Sequence, residues 1–130
     1  WSGPLVVSIT ALGDVSEHGP VLRSGAQPGD FLYVTGACGG SLSGRHLTFT
    51  PRVREAQQLV RSVPVHSLID ISDGFAADLH HILEESGVGA IVDADAIPVH
   101  DDVSAGLTRA ERLQAALGDG EDFELLFTID

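Results

Sequence analysis

The sequence predicts an α/β (α+β) domain in which helices cover a mixed β-sheet. Short β-branched, apolar runs alternate along the chain with stretches of helical periodicity. Fifteen glycines and six prolines punctuate those runs, which marks a turn-rich globular chain. The length of 130 residues, 43% of them hydrophobic, is enough for one buried core.

Each element has its own signal. Residues 4–13, "PLVVSITALG", are apolar and closed by Gly13, and predict a buried strand. Residues 23–30 turn at Pro28-Gly29-Asp30, and "FLYVTG" (31–36) reads as the next strand. "ACGGSLSGRHLTFTP" runs with little periodicity to Pro51. Residues 52–63 set Val53, Ala56, Leu59, Val60 and Val63 on one face, which predicts an amphipathic helix after the proline. "HSLIDIS" (66–72) is a short strand, and Phe75, Leu79, Ile82 and Leu83 then keep helical spacing until Gly87 stops it. "GAIVDADAIPV" (89–99) predicts a strand ending at Pro98. Residues 104–118 carry Leu107, Ala110, Leu113 and Leu117 on one side of a helix, and "DFELLFTID" is the last strand.

Composition excludes some functions. Nineteen acidic against seven basic residues give a net charge of −12, so no basic footprint for nucleic acid is present. No apolar run has the length needed to cross a bilayer. The single Cys38 rules out an internal disulfide and fits a reducing cytoplasm. An acidic chain binds phosphates only with help from divalent cations or a few placed arginines. The chain begins at Trp1 and contains no methionine, which leads us to expect a piece of a longer protein.

Chemistry concentrates where a strand hands over to a helix, in "SLIDISDGFAADLHHILEESG". Asp70 and Ser72 are two apart, so an extended backbone points both side chains to one face. Asp73 is expected at the helix N-cap, with Gly74 allowing close backbone approach. Two readings stand side by side: a capped helix with solvated acids, or a magnesium–phosphate site in which the carboxylates share the metal and Ser72 meets phosphate oxygens. The Asp-x-Asp pattern of aspartyl-phosphate phosphatases is not matched, because the spacing here is Asp-x-x-Asp. Near the end, "GDGED" (118–122) is either a tight turn or a loop that aims Glu121 at a ligand. Arg23 is either a solvated arginine or a scarce phosphate partner. Gly36, Gly39, Gly40 and Gly44 lack a P-loop ending and read as close packing or a mobile loop. The adjacent His80 and His81 diverge on a helix and do not suit one metal, and Asp93, Asp95, Asp101 and Asp102 read as a solvated face.

Taken in order, "LRSGAQPGDFLYVTG", "IDISDGFAADLHHILEESGVGA" and "ALGDGEDFELLFT" resemble the thiamine-monophosphate kinases, in the superfamily of aminoimidazole ribonucleotide synthetase. The resemblance implies that residues 1–13 are the last strand of an N-terminal ATP-binding domain and that 14–130 belong to a C-terminal domain, itself incomplete. It implies Mg²⁺-dependent transfer of the ATP γ-phosphoryl group to thiamine monophosphate, giving thiamine diphosphate and ADP. On that resemblance Asp70 and Asp73 ligate Mg²⁺, Ser72 and Arg23 contact ATP, Glu121 contacts the cationic thiamine, and no side chain serves as a general base. It also implies a cytoplasmic homodimer formed through the N-terminal domain, and little activity for this piece alone. Two departures stand out: residues 44–51 are shorter than the helical insert of many relatives, and Asp119 replaces a glycine before Glu-Asp, which would strain the backbone if φ were positive there. Two other functions remain open, a sister ATP-dependent synthetase of the superfamily and a non-catalytic lid or binding domain.

Overall fold

A computed structural model describes residues 3–15 and 17–130; Trp1, Ser2 and Ser16 lie outside the described residues. The elements follow in the order β1 (Phe31–Val34), α1 (Val53–Ser62), β2 (Ser67–Asp70), α2 (Phe75–Ser86), α3 (Arg109–Gly118) and β3 (Leu125–Ile129), with short 3₁₀ turns at Ser41–Ser43 and Arg45–Leu47. The strands form a three-stranded sheet in the order β1-β3-β2. The last strand therefore sits in the middle, antiparallel to both neighbours. The parallel component of the predicted mixed sheet is reduced to an isolated bridge between Cys38 and Val99.

Alternation along the strands sorts the side chains into two faces. Val34, Leu126 and Ile69 are aligned across the sheet. They face the core built by Ile71, Phe75, Leu79, Ile82 and Ala116 from α2, α3 and the loop before α2. Lower on that face, the buried Ser67 and Thr128 hydroxyls satisfy each other at 2.9 Å. On the opposite face Tyr33 stacks on Phe127, with ring centroids 5.7 Å apart. α1 presents its predicted stripe, but Ala56, Leu59, Val60 and Val63 are only half-buried, and Val53 is exposed.

Several expectations need correction. Residues 4–13 form no strand and are exposed throughout, Leu12 at 96%. Nothing among the described residues covers their apolar side chains, so they gain no ladder. Residues 89–97 also lack strand pairing, and Ile91 stands fully in solvent. Only Val99 pairs, through the Cys38 amide to the Pro98 carbonyl and the His100 amide to the Cys38 carbonyl. Helix α3 starts at Arg109 rather than near Ser104, because Thr108 and Glu111 close a reciprocal capping box.

Helix α2 is capped differently from the expectation. Its N-cap is Gly74 at φ 109°, a conformation that an aspartate would adopt only with strain, so Asp73 falls one residue outside the cap. Gly87 ends the helix in the left-handed region, as its position predicts, and its amide reaches back to the Glu84 carbonyl.

Candidate functional site

The junction between β2 and α2 forms one wall of a cleft of about 540 Å³. Asp70, at the end of β2, is exposed, and Ser72 and Asp73 follow in the turn to α2. Arg23 also lines the cleft, on a segment held to the sheet edge by the Leu68 amide bonding to the Leu22 carbonyl at 3.0 Å. Asp70, Ser72, Asp73 and Arg23 therefore line one space. His81 also lines it, whereas His80 is exposed on another face of α2.

Asp78, a residue that sequence reasoning missed, shapes the turn from beneath. It lies in the first turn of α2, is 2% exposed, and accepts from the amides of Ser72 (2.9 Å) and Asp73 (3.0 Å) through one oxygen. Burial pushes its carboxyl above the ordinary range; the two amides pull the other way, and the charges of Asp73 and Asp70 add to the upward push. The signal was available, since Asp78 shares the apolar stripe of Phe75, Leu79 and Ile82.

The loop carrying Glu121 lies directly against this turn. The Glu121 amide donates to the Ser72 carbonyl at 2.8 Å, and the Ile71 amide donates to the Glu124 carbonyl at 2.8 Å. A Cβ on Gly120, whose φ is 70°, would stand 2.8 Å from the Ser72 carbonyl oxygen, so the contact needs glycine. Glu121 and Phe123 both have positive φ, 54° and 52°, an uncommon backbone for these residue types that the surroundings must hold. Asp122 supplies that hold: its buried carboxylate accepts from the Gly39 amide and, at 3.0 Å, from Arg45 Nη2. Ser41 Oγ donates to the Glu121 carbonyl at 2.6 Å, and Phe49 stacks on Phe123. The Glu121 carboxylate is exposed, but Glu121 is not one of the residues lining the Arg23 cleft.

Asp119 proves unstrained. Its φ is −68°, and its carboxylate accepts from the Gly40 amide at 2.8 Å. The glycine cluster is closely packed at Gly39, against α3, and at Gly40, against residues 102–103. Beneath the loop, Glu124 is forked by Arg52, Nη2 to Oε1 at 2.6 Å and Nε to Oε2 at 2.8 Å, and accepts from Thr35 Oγ1 at 2.5 Å. Burial alone would raise the Glu124 carboxyl, but these partners hold it below its ordinary value.

Among the described residues, no group of three or more His, Cys, Asp or Glu side chains is placed to hold a metal ion by itself. Two exposed carboxylates on one cleft do fit Mg²⁺, which commonly takes one or two carboxylates and completes its shell with water and substrate phosphates. Among the described residues no helix is long and apolar enough to cross a membrane.

Antiparallel strands under two helices, with carboxylates, a serine and an arginine around a polar cleft, define an α+β domain suited to a phosphorylated ligand and its counter-ions. Residues 27–128 match the family described as AIR synthase related protein, C-terminal domain, and the chain belongs to that family. The thiamine-monophosphate kinase of Rhodopirellula baltica is 46% identical to it, over 99% of this chain and 41% of that protein. A solved thiamine-monophosphate kinase from Stenotrophomonas maltophilia K279a superposes with a TM-score of 0.72 at 31% identity, over 86% of this chain and 42% of that one. A structure of AaThiL complexed with AMPPCP and TMP superposes with a TM-score of 0.61 at 28% identity, over 83% of this chain and 41% of that one. The chain thus spans less than half the length of these relatives.

Proposed function

We propose that the protein to which this chain corresponds is a thiamine-monophosphate kinase, transferring the γ-phosphoryl group of ATP to thiamine monophosphate to give thiamine diphosphate and ADP. The observation that carries this reading is the contact between the Ser72 turn and the Glu121 loop. It brings phosphate-facing and thiamine-facing candidates together in a chain whose relatives include a kinase complexed with an ATP analogue and TMP.

In this reading Asp70 and Asp73 would hold Mg²⁺, whose charge, when bound, offsets the repulsion between two polyanionic substrates. Ser72 contacts ATP from the turn, and Arg23 does so from the segment beside β2. Glu121 faces the thiazolium cation. The acceptor is a phosphate oxygen already ionised near neutral pH, so the residues position and neutralise rather than abstract a proton. Asp78 keeps the Ser72–Asp73 backbone in place.

We assign residues 14–130 to the C-terminal domain and residues 1–13 to a preceding ATP-binding domain, whose sheet would have to supply the pairing that residues 4–13 lack here. The exposed apolar side chains of Leu5, Val6, Val7, Ile9 and Leu12 support that assignment, since a covering partner would bury them. The preceding domain would also carry the homodimer contact, in a cytoplasmic enzyme.

The test is to incubate the full-length protein with ATP, Mg²⁺ and thiamine monophosphate and to quantify thiamine diphosphate by fluorescence after oxidation. Stoichiometric formation of thiamine diphosphate and ADP is expected. A folded, ATP-binding protein that forms no thiamine diphosphate would instead favour a sister synthetase.

A further inference from the structure

Helix α2 bonds to both segments that carry the cleft's charged residues, the Ser72–Asp73 turn and the Arg23 stretch. In its first turn Asp78 accepts the amides of Ser72 and Asp73. In its last turn Ser86 Oγ accepts from the Gly25 and Ala26 amides, each at 3.1 Å, and lies 3.3 Å from the Arg23 carbonyl, to which it donates. One hydroxyl thus uses its acceptor and donor capacity on three backbone groups of the Arg23 segment. The two anchors are separated along a rigid helix by roughly 12 Å.

Arg23 has a second link to the same turn, Nη2 to Glu85 Oε1 at 3.1 Å, but both side chains are about half exposed. An exposed ion pair of this kind contributes little and yields readily to a competing anion. The backbone bonds of Ser86 do not compete with a ligand for the guanidinium. Among the described residues, the backbone bond from the Leu68 amide to the Leu22 carbonyl ties this stretch to the sheet, and Ser86 ties it to α2.

We propose that Ser86 is a positioning residue for ATP: it fixes the Arg23 backbone at a set distance from the Ser72–Asp73 turn, so that the guanidinium meets phosphate across the cleft. This rests on the reading of Arg23 as an ATP contact. Ser86 touches no substrate itself. Its effect therefore falls on ATP and spares thiamine monophosphate, which would meet Glu121: that loop is bonded to the Ser72 turn and not to the Arg23 segment that Ser86 holds.

The experiment compares Arg23→Ala, Ser86→Ala and Ser86→Thr in the full-length protein by steady-state kinetics in both substrates. Arg23→Ala and Ser86→Ala are each expected to raise the KM for ATP by roughly tenfold. The KM for thiamine monophosphate stays unchanged in both, and Ser86→Thr, which keeps the hydroxyl, restores the ATP value. If Ser86→Ala does not fold, Ser86→Cys is near-isosteric with a weak hydrogen-bonding sulfur and serves in its place. A normal KM for ATP in Ser86→Ala, or a parallel rise in both KM values, overturns the proposal while leaving the role of Arg23 intact. A normal KM for ATP in Arg23→Ala overturns the role of Arg23 and the proposal with it.

Discussion

Glu121 and Ser72 share a backbone hydrogen bond, amide to carbonyl at 2.8 Å, and through it two segments far apart in sequence become one surface. Gly120 makes the approach possible. Gly120→Ala adds a Cβ 2.8 Å from the Ser72 carbonyl oxygen and holds an L residue at φ 70°. The left-handed backbone alone costs about 1–2 kcal/mol, and the contact with a backbone atom adds to it. We expect a lower urea midpoint, and a loss of turnover in the full-length protein beyond what the unfolded fraction accounts for.

Asp122 is the buried anchor of the same loop, and Arg45 is its charged partner. Removing the Asp122 carboxylate strips the buried Gly39 amide of its acceptor and leaves Arg45 with Asp102 as its remaining counter-charge, so Asp122→Ala should destabilise by about 2 kcal/mol. Asp122→Asn keeps the shape and one acceptor and should cost less. Chemical denaturation of the two variants beside the parent measures the difference.

Glu124 and Arg52 set an acid limit on stability. The Glu124 carboxyl titrates below its ordinary value of 4.5 in the folded chain, because Arg52 and Thr35 outweigh burial. A carboxyl lowered by folding stabilises the native state above its unfolded pKa, and that contribution disappears as pH falls through the folded value. Asp30 acts in the same direction, because the Gln27 amide and His66 outweigh its burial. The gap in denaturation midpoint between the parent and Arg52→Gln should therefore be widest near neutral pH. It should narrow as pH drops below about 4.5, since protonated Glu124 no longer pairs.

Cys38 is fully buried, and its thiol is pushed up to about 12, first by burial and then by the charges of Asp122 and Glu124, against Arg45. The thiolate is the reactive form, so the native protein should resist iodoacetamide at mildly alkaline pH. Modification should follow unfolding by urea, as read by intact mass.

Local rules made much of this fold legible. Helix α2 and its stop at Gly87 follow from apolar spacing and a terminal glycine, and both edges of β3 are filled, as an apolar final run predicts. The start of α3 was also readable, because Thr108-x-x-Glu111 is a capping-box pattern. Residues 4–13 and 89–97 have strand composition but no pairing partner among the described residues, and composition does not supply one. In the candidate site, the placing of Asp70, Ser72 and Asp73 on one turn follows the motif spacing, whereas Arg23 joins them through tertiary packing that no local spacing signals, and the cap departs from the motif. Gly74 takes the cap because the backbone there needs positive φ, and the buried Asp78 takes over the turn amides. The partners of Asp122 and Glu124 were hidden because Arg45 and Arg52 reach them only through tertiary packing.

The most direct test of the proposed site is a Mg²⁺ titration of thiamine diphosphate formation by the full-length protein, its Asp73→Asn variant and its Asp70→Asn variant. Both variants should remain folded, lose at least about a hundredfold in turnover, and require more Mg²⁺ for half-maximal rate. Parent-like turnover and Mg²⁺ dependence in both would contradict a magnesium–phosphate site at the β2–α2 junction.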